Sequence, residues 1–376
     1  MTERIREFLR NRHEDGPSLV VDLAVVRENY ESFAKALPDS RVFYAVKANP
    51  APELLALLVL LGSCFDTASV AEIEMVLAAG AAADRISFGN TIKKERDIAR
   101  AHALGVQLFA VDCKAEVDKI ARVAPGAMVF CRFLFHCTGA EWPLSRKFGC
   151  VPEMAAEVLG HARQRGLDPC GVSFHVGSQQ RRVQAWDDAL KSASAIFRAC
   201  AERGINLSMV NLGGGFPTRY LKEVPAVETY GRSIFRALRK HFGNRIPETI
   251  IEPGRGLVGN AGVIEAEVVL ISKKSERDDV RWVYLDIGKF GGLAETMDES
   301  IRYPIRTPHD GGPLAPCVLA GPTCDSADVL YEKKPYELPI SLEIGDKVLI
   351  EGAGAYTATY ASVAFNGFAP LPAYHI

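Results

Sequence analysis

The sequence predicts an α/β fold: a TIM (β/α)8 barrel followed by a second, mostly β domain of sandwich or barrel-like form. Between residues 42 and 256, short apolar β-branched runs alternate with longer segments of helical period, the pattern of a parallel sheet. After about residue 262 the texture changes to β-rich runs separated by Gly, Pro and Asp turns. A doubly wound open sheet is the alternative. Against it, no Gly-x-Gly-x-x-Gly follows the first strand, where a dinucleotide-binding sheet would carry one.

Eight strands are expected near Val42–Val46, Phe65–Thr67, Ile86–Phe88, Leu108–Val111, Met128–Leu134, Gly171–His175, Met209–Leu212 and Thr249–Ile251. The helices between them carry their own signals. Ser69 and Glu72 have capping-box spacing, and the run Val70–Leu77 that follows stops near Gly80. Further strands are expected at Val263–Ser272, Arg281–Leu285, Cys317–Leu319 and Lys347–Glu351. Ser18–Asp22 precedes the barrel and could add a strand to the β-domain, which would then be discontinuous: 1–23 plus 262–376, around a barrel of 24–261.

With 376 residues and 48% hydrophobic content, the chain can bury one large core and a smaller one. Forty-four basic and 46 acidic side chains leave a net charge of −2 without blocks of like charge. A nucleic-acid or anionic-membrane surface is not indicated, and small molecules are the expected partners. No apolar run approaches the roughly 20 residues of a bilayer span. The charged start lacks an apolar signal core, so the cytoplasm is the expected compartment. Nine cysteines without a Cys-x-x-Cys pair, and histidines without ligand spacing, argue against a disulfide framework and a metal site.

In a barrel of this kind, reactive groups project from the C-terminal ends of the strands. Lys47 ends strand one, Asp66 lies on strand two, and His175 ends strand six. Strand seven runs into Gly213-Gly214-Gly215, and strand eight into Glu252-Pro253-Gly254-Arg255. Alone, a lysine ending an apolar strand reads as a snorkelling surface residue, a glycine run as a turn, and His175 as a satisfied core histidine. Together they offer more. A buried amine can form a Schiff base with an aldehyde. Gly-rich backbone and an arginine suit a phosphate, an acid can hold a pyridine nitrogen protonated, and a flat imidazole can stack on a ring. That is the parts list of a pyridoxal-phosphate site.

The motifs Tyr44-Ala45-Val46-Lys47-Ala48-Asn49-Pro50, Ser173-Phe174-His175-Val176-Gly177-Ser178-Gln179, Gly213-Gly214-Gly215-Phe216-Pro217, Glu252-Pro253-Gly254-Arg255, Gly321-Pro322-Thr323-Cys324-Asp325-Ser326-Ala327-Asp328, Gly354-Ala355-Tyr356-Thr357 and Phe365-Asn366-Gly367-Phe368 occur in this order over nearly the whole chain. In them the chain resembles the alanine-racemase-like, fold-type III decarboxylases, above all the bacterial ornithine decarboxylases. The resemblance implies pyridoxal 5'-phosphate as cofactor, a barrel plus β-domain, and a homodimer with shared active sites. It implies conversion of L-ornithine to putrescine and carbon dioxide, a step of polyamine biosynthesis. It also implies that Lys47 carries the cofactor, His175 stacks on its ring and Glu252 meets the pyridine nitrogen. Ser178, Gly215, Arg255 and Tyr356 would hold the phosphate alongside Gly213, Gly214 and Gly254, with Asp66 and Arg132 in support. Cys324 and Asp325 would come from the opposite subunit, the thiol near the substrate's α-carbon and the carboxylate at its distal amine. Lys147 and Asp328 resemble an ion pair between subunits.

By themselves Cys324 reads as a small buried hydrophobe and Asp325 as a turn residue. The chain departs from eukaryotic ornithine decarboxylases at Gly291–Glu299, where Glu295 and Asp298 are the candidate readers of the distal amine. Rival readings are a dual lysine/ornithine decarboxylase, a diaminopimelate decarboxylase, an alanine racemase and a non-catalytic cofactor-binding protein. Asp325 speaks against the diaminopimelate enzyme, which typically carries glutamate there, and Glu252 against the racemase, which pairs the pyridine nitrogen with arginine.

Overall fold

The computed structural model describes residues 1–135, 139–142 and 147–376. The chain opens with helix α1 (Glu3–Asn11), strand β1 (Ser18–Val21) and helix α2 (Leu23–Ala36). It continues through β2 (Ser40–Ala45), α3 (Pro52–Leu60), β3 (Cys64–Thr67), α4 (Val70–Ala78), β4 (Ile86–Phe88), α5 (Glu95–Ala103), β5 (Leu108–Val111), α6 (Lys114–Val123) and β6 (Met128–Arg132). Then come β7 (Ala140–Trp142), α7 (Pro152–Gln164), β8 (Asp168–Ser173), β9 (Ser178–Gln180), α8 (Ala185–Glu202), β10 (Met209–Asn211), α9 (Val227–Phe242), β11 (Glu248–Ile251) and α10 (Arg255–Val258). Eight of these strands close a parallel barrel in the order β2-β3-β4-β5-β6-β8-β10-β11, and Ile251 pairs back onto Val42. The expected barrel is therefore present.

Local chemistry explains the helices. In α4 the Ser69 hydroxyl accepts the Glu72 N–H at 3.2 Å, the Glu72 carboxylate accepts the Ala68 N–H at 2.6 Å, and Gly80 follows with φ +98°. In α3 Pro52 occupies the first turn, and Leu54, Leu55, Leu57 and Leu58 are buried. Inside the barrel, Phe43, Cys64, Ala110, Phe130, Cys170, Met209 and Ile250 pack as one apolar cluster. Side chains thus fill this part of the barrel, and the polar groups gather at the C-terminal strand ends.

The second compact unit comprises Met1–Val26, Thr218–Glu223 and Val258–Ile376; the barrel unit comprises Arg27–Pro217 and Val224–Leu257. The second unit is built on β12 (Gly262–Ser272), β13 (Arg281–Leu285), β14 (Ile305–Arg306), β15 (Leu314–Ala320), β16 (Val329–Pro339), β17 (Lys347–Glu351) and β18 (Ala373–His375). The sheet order is β14-β17-β12-β13-β15-β16, and β1 pairs antiparallel with β12 and parallel with β18. Helix α1 lays Ile5 against Val20 and Val263 in a small core of this unit.

Several elements were not foreseen. Strand β16 was missed because its charged run Lys333-Lys334-Pro335 reads as a turn, yet it sits at the end of the sheet order, where proline is tolerated. Strands β7 and β9 pair with each other outside the barrel, and each has only three residues. Lys47 lies not on the first barrel strand but in the single helical turn Val46–Ala48 that follows it, and His175 lies two residues beyond β8. Among the described residues no helix is long and apolar enough to cross a membrane.

Candidate active site

In the barrel unit, Lys47, Asp66, Arg132, His175 and Glu252 come together at the C-terminal strand ends. Parallel register sets the first part of the group: Asp66 of β3 stands beside Ala45 of β2 and Ser87 of β4. Arg132 is the last residue of β6, and Glu252 immediately follows β11.

Charge ties these groups to one another. Burial first, and then the Glu252 carboxylate, push the Asp66 carboxyl well above the usual range, while Lys47 pulls it down. The Ser87 hydroxyl donates to Asp66 Oδ1 at 3.3 Å. A Cβ on Gly89 would lie 1.8 Å from that oxygen, so glycine there leaves room for the carboxyl. Burial also draws the Arg132 guanidinium down against the opposing pull of Glu252 and Asp66.

His175 is neutral in this setting. Burial, then the positive charges of Arg132 and Lys47, push its pKa down to about 3. The Gly177 N–H donates to His175 Nδ1 at 2.9 Å, which leaves the ring proton on Nε2. The ring can therefore offer a flat, uncharged face.

Behind it lies a glycine cradle. Gly213 (φ +65°) and Gly215 (φ +97°) occupy the left-handed region that favours glycine. A Cβ on Gly213, Gly214 or Gly215 would lie 2.1, 2.6 or 2.5 Å from the carbonyl oxygen of Phe174, Glu252 or Gly177, respectively. The Arg255 guanidinium, 3% exposed, donates to the Ser178 hydroxyl at 3.3 Å. Gly254 lies between Glu252 and Arg255 in the turn leading into α10. Gln179, beside Ser178, is buried with φ +57°, a strained backbone of the kind found at functional sites.

Two contributors escaped the sequence reading. Asn211, 1% exposed at the end of β10, donates its amide to Glu252 and accepts the Gly213 N–H at 2.9 Å. It thus orients the acid and the first glycine together. The signal was an asparagine two residues before a glycine run, a common side-chain-to-backbone turn. Glu72 was read only as a helix cap, yet it is partly buried and feels the charge of Lys47.

The remaining candidates lie in the second unit. The exposed Cys324 donates its N–H to Asn366 Oδ1 at 2.9 Å. Asp325 accepts the Ala327 N–H at 2.8 Å, so it also caps its own turn. The Asp328 carboxylate, 2% exposed, accepts the Lys289 N–H at 2.7 Å and the Thr323 N–H and hydroxyl at 3.1 and 2.7 Å. The carboxylate thus helps to hold its own loop.

Glu295 is 4% exposed, whereas the Asp298 side chain is 80% exposed and pairs with Lys333 at 3.1 Å. Glu299 accepts the Glu332 N–H at 2.7 Å and pairs with Arg302 at 2.8 Å. Tyr356 has φ +56°, unusual for a bulky residue, and its ring lies against Tyr360. A cavity of ≈ 250 Å³ in this unit is lined by Gly288, Phe290, Thr323, Phe365 and Phe368 among others.

A pyridoxal phosphate molecule requires an amine, an anion cradle without side chains, an acid for its ring nitrogen and a flat neighbour. The barrel unit offers all four, so its residues fit the group. Comparison with known proteins agrees. The family model described as the pyridoxal-binding domain of pyridoxal-dependent decarboxylases matches residues 23–259. A lysine/ornithine decarboxylase of Selenomonas ruminantium is 36% identical over 358 residues, covering 95% of this chain and 88% of that protein.

Two solved structures show the same fold. A crystal structure of SrLDC in complex with PLP and cadaverine superposes with a TM-score of 0.88 at 34% identity, covering 99% of this chain and 93% of that one. An arginine decarboxylase of the Paramecium bursaria Chlorella virus reaches 0.90 at 27% identity, with full coverage of both chains. Fold and site together define a pyridoxal-phosphate-dependent carboxy-lyase. The chain belongs to the pyridoxal-dependent decarboxylase family, in the branch whose named members include lysine/ornithine and arginine decarboxylases.

Proposed function

We propose that this chain decarboxylates a basic L-amino acid, L-ornithine first, releasing carbon dioxide and putrescine in the cytoplasm. The observation that carries the reading is the group of Lys47, Asp66, Glu252 and neutral His175 beside a cradle of three glycines. Bound there, pyridoxal phosphate supplies an electron sink for the pair left when the α-carboxylate departs. Lys47 would hold the cofactor through its side-chain amine. Glu252, held by Asn211, keeps a proton at the pyridine nitrogen. Asp66 takes the proton of the carboxylate pair, which relieves like-charge repulsion in a buried site. Arg255, Ser178 and the glycine N–H groups bind the phosphate, with Gly254 and Tyr356 assigned to the same task. Arg132 balances the two acids.

We further propose a homodimer in which Cys324 and Asp325 of the partner copy complete each site: the thiol near the α-carbon, the carboxylate at the distal ammonium. Glu295 and Asp298 are assigned to the recognition of that ammonium. Lysine is the second candidate substrate, because the Selenomonas relative is named for both amino acids. One methylene separates the two, worth about 1–3 kcal/mol of discrimination. The test is carbon dioxide release from ornithine, lysine, arginine and diaminopimelate side by side, with the highest kcat/KM expected for ornithine. A clear preference for diaminopimelate or arginine would overturn the substrate assignment.

A further inference from the structure

Cys131 and Cys150 are two buried thiols that the chemistry above does not use. Their sulfurs lie 3.6 Å apart although the residues are 19 positions apart in sequence. Backbone geometry brings them together. The Cys150 N–H donates to the Arg132 carbonyl at 3.1 Å, and the Leu134 N–H donates to the Cys150 carbonyl at 2.7 Å, so Cys150 pairs with Phe133 as a parallel extension of β6. Side chains alternate along a strand, so Cys131, Phe133 and Cys150 share one face and Arg132 takes the other. Both sulfurs also approach the Arg132 carbonyl oxygen, at 3.9 and 3.7 Å.

We propose that Cys131 and Cys150 are a reversible oxidation site, converted by a peroxide into a disulfide that ties the end of β6 to the segment entering α7. The thiols are not equivalent. Cys150 is the less deeply buried of the two, 6% exposed against 0% for Cys131, so a peroxide reaches it first. Cys150 is therefore the attacking sulfur. Its thiolate displaces hydroxide from the peroxide O–O bond, giving a sulfenic acid, and the hydroxide takes up a proton to leave as water. The Cys131 sulfur then attacks Cys150 Sγ, its proton leaves with the S–OH oxygen as a second water, and the S–S bond forms. Two electrons pass from the sulfurs to the peroxide. The sulfurs must close from 3.6 Å to about 2 Å, a movement within reach of side-chain rotation and a small backbone shift.

The experiment is peroxide treatment of the holoenzyme, blocking of remaining thiols under unfolding conditions, non-reducing proteolysis and mass spectrometry. A peptide linking Cys131 to Cys150, two hydrogens lighter than the reduced pair, is expected; dithiothreitol should abolish it, and Cys150→Ser should never form it. The part-exposed Cys113 reports whether peroxide reached the protein. If Cys113 is oxidised while Cys131 and Cys150 are both recovered as free thiols, the proposal is overturned.

Discussion

Replacing Gly214 by alanine adds one methyl group where the backbone of another strand end comes close. The new Cβ would lie 2.6 Å from the Glu252 carbonyl oxygen and 3.4 Å from His175 Nε2. The first contact is backbone and cannot swing aside, so either the glycine segment or the Glu252 turn must move by roughly 0.7 Å to restore a normal separation. Overpacking of this kind costs about 1–3 kcal/mol. Alanine returns about 0.4–1 kcal/mol through a less flexible unfolded chain, so the expected net destabilisation is about 1–2 kcal/mol. The larger effect falls on the cofactor. If the shift breaks one hydrogen bond to the charged phosphate, worth about 1.5–3 kcal/mol, affinity for pyridoxal phosphate should fall roughly 10- to 150-fold. Titrating the apoprotein with cofactor, followed by visible absorbance, reads that affinity, and thermal unfolding of the apoprotein reads the fold. Wild-type affinity in the variant would refute the assignment of this backbone as the phosphate cradle.

Asn211→Ala removes the amide that holds Glu252 and leaves the Gly213 N–H without its acceptor, so steady-state kinetics should show kcat reduced by roughly 10- to 100-fold; an unchanged kcat would remove Asn211 from the site. His175 is held neutral in the folded apoprotein, with its pKa at about 3 against an ordinary 6.5. Between those values the unfolded chain binds the extra proton, so this contribution to stability is complete above about pH 6.5 and is lost as pH falls towards 3. Urea unfolding at pH 7 and pH 5 should show about 2 kcal/mol more loss in wild type than in His175→Phe, and an equal loss in both proteins would contradict the buried neutral ring. Mixing inactive Lys47→Ala with inactive Cys324→Ala protein should restore roughly a quarter of wild-type activity, because half the dimers then carry one intact site; no recovery despite proven subunit exchange would mean that each chain builds its site alone.

The barrel was legible because each of its strands is a short apolar run between helical segments, and the C-terminal strand ends then told which polar residues to trust. Lys47, His175, the glycine run and Glu252 stand at or just beyond those ends, which is why they could be singled out together. Residues that act through tertiary geometry were not legible. Asn211 looks like any turn-forming asparagine until its amide is seen on Glu252, 41 residues away. Glu72 satisfies its local pattern as a cap, and that pattern hid its reach to Lys47. Strand β16 was lost to a charged run and two prolines that an edge strand tolerates. Asp328 has a local role its motif did not reveal: its carboxylate accepts backbone and hydroxyl donors of its own chain.

The claim that the barrel's strand ends hold pyridoxal phosphate through Lys47 can be tested at a single atom. Borohydride reduction of the holoenzyme fixes whichever lysine carries the cofactor as a stable secondary amine, and peptide mapping by mass spectrometry then locates it. The expected result is one pyridoxyl group on the peptide containing Lys47. Lys93, a buried lysine paired with Glu116 at 3.0 Å, is the informative comparison, because a low pKa of about 8 makes it the competing amine. A label on Lys93 or any other lysine, with Lys47 unmodified, would contradict the account.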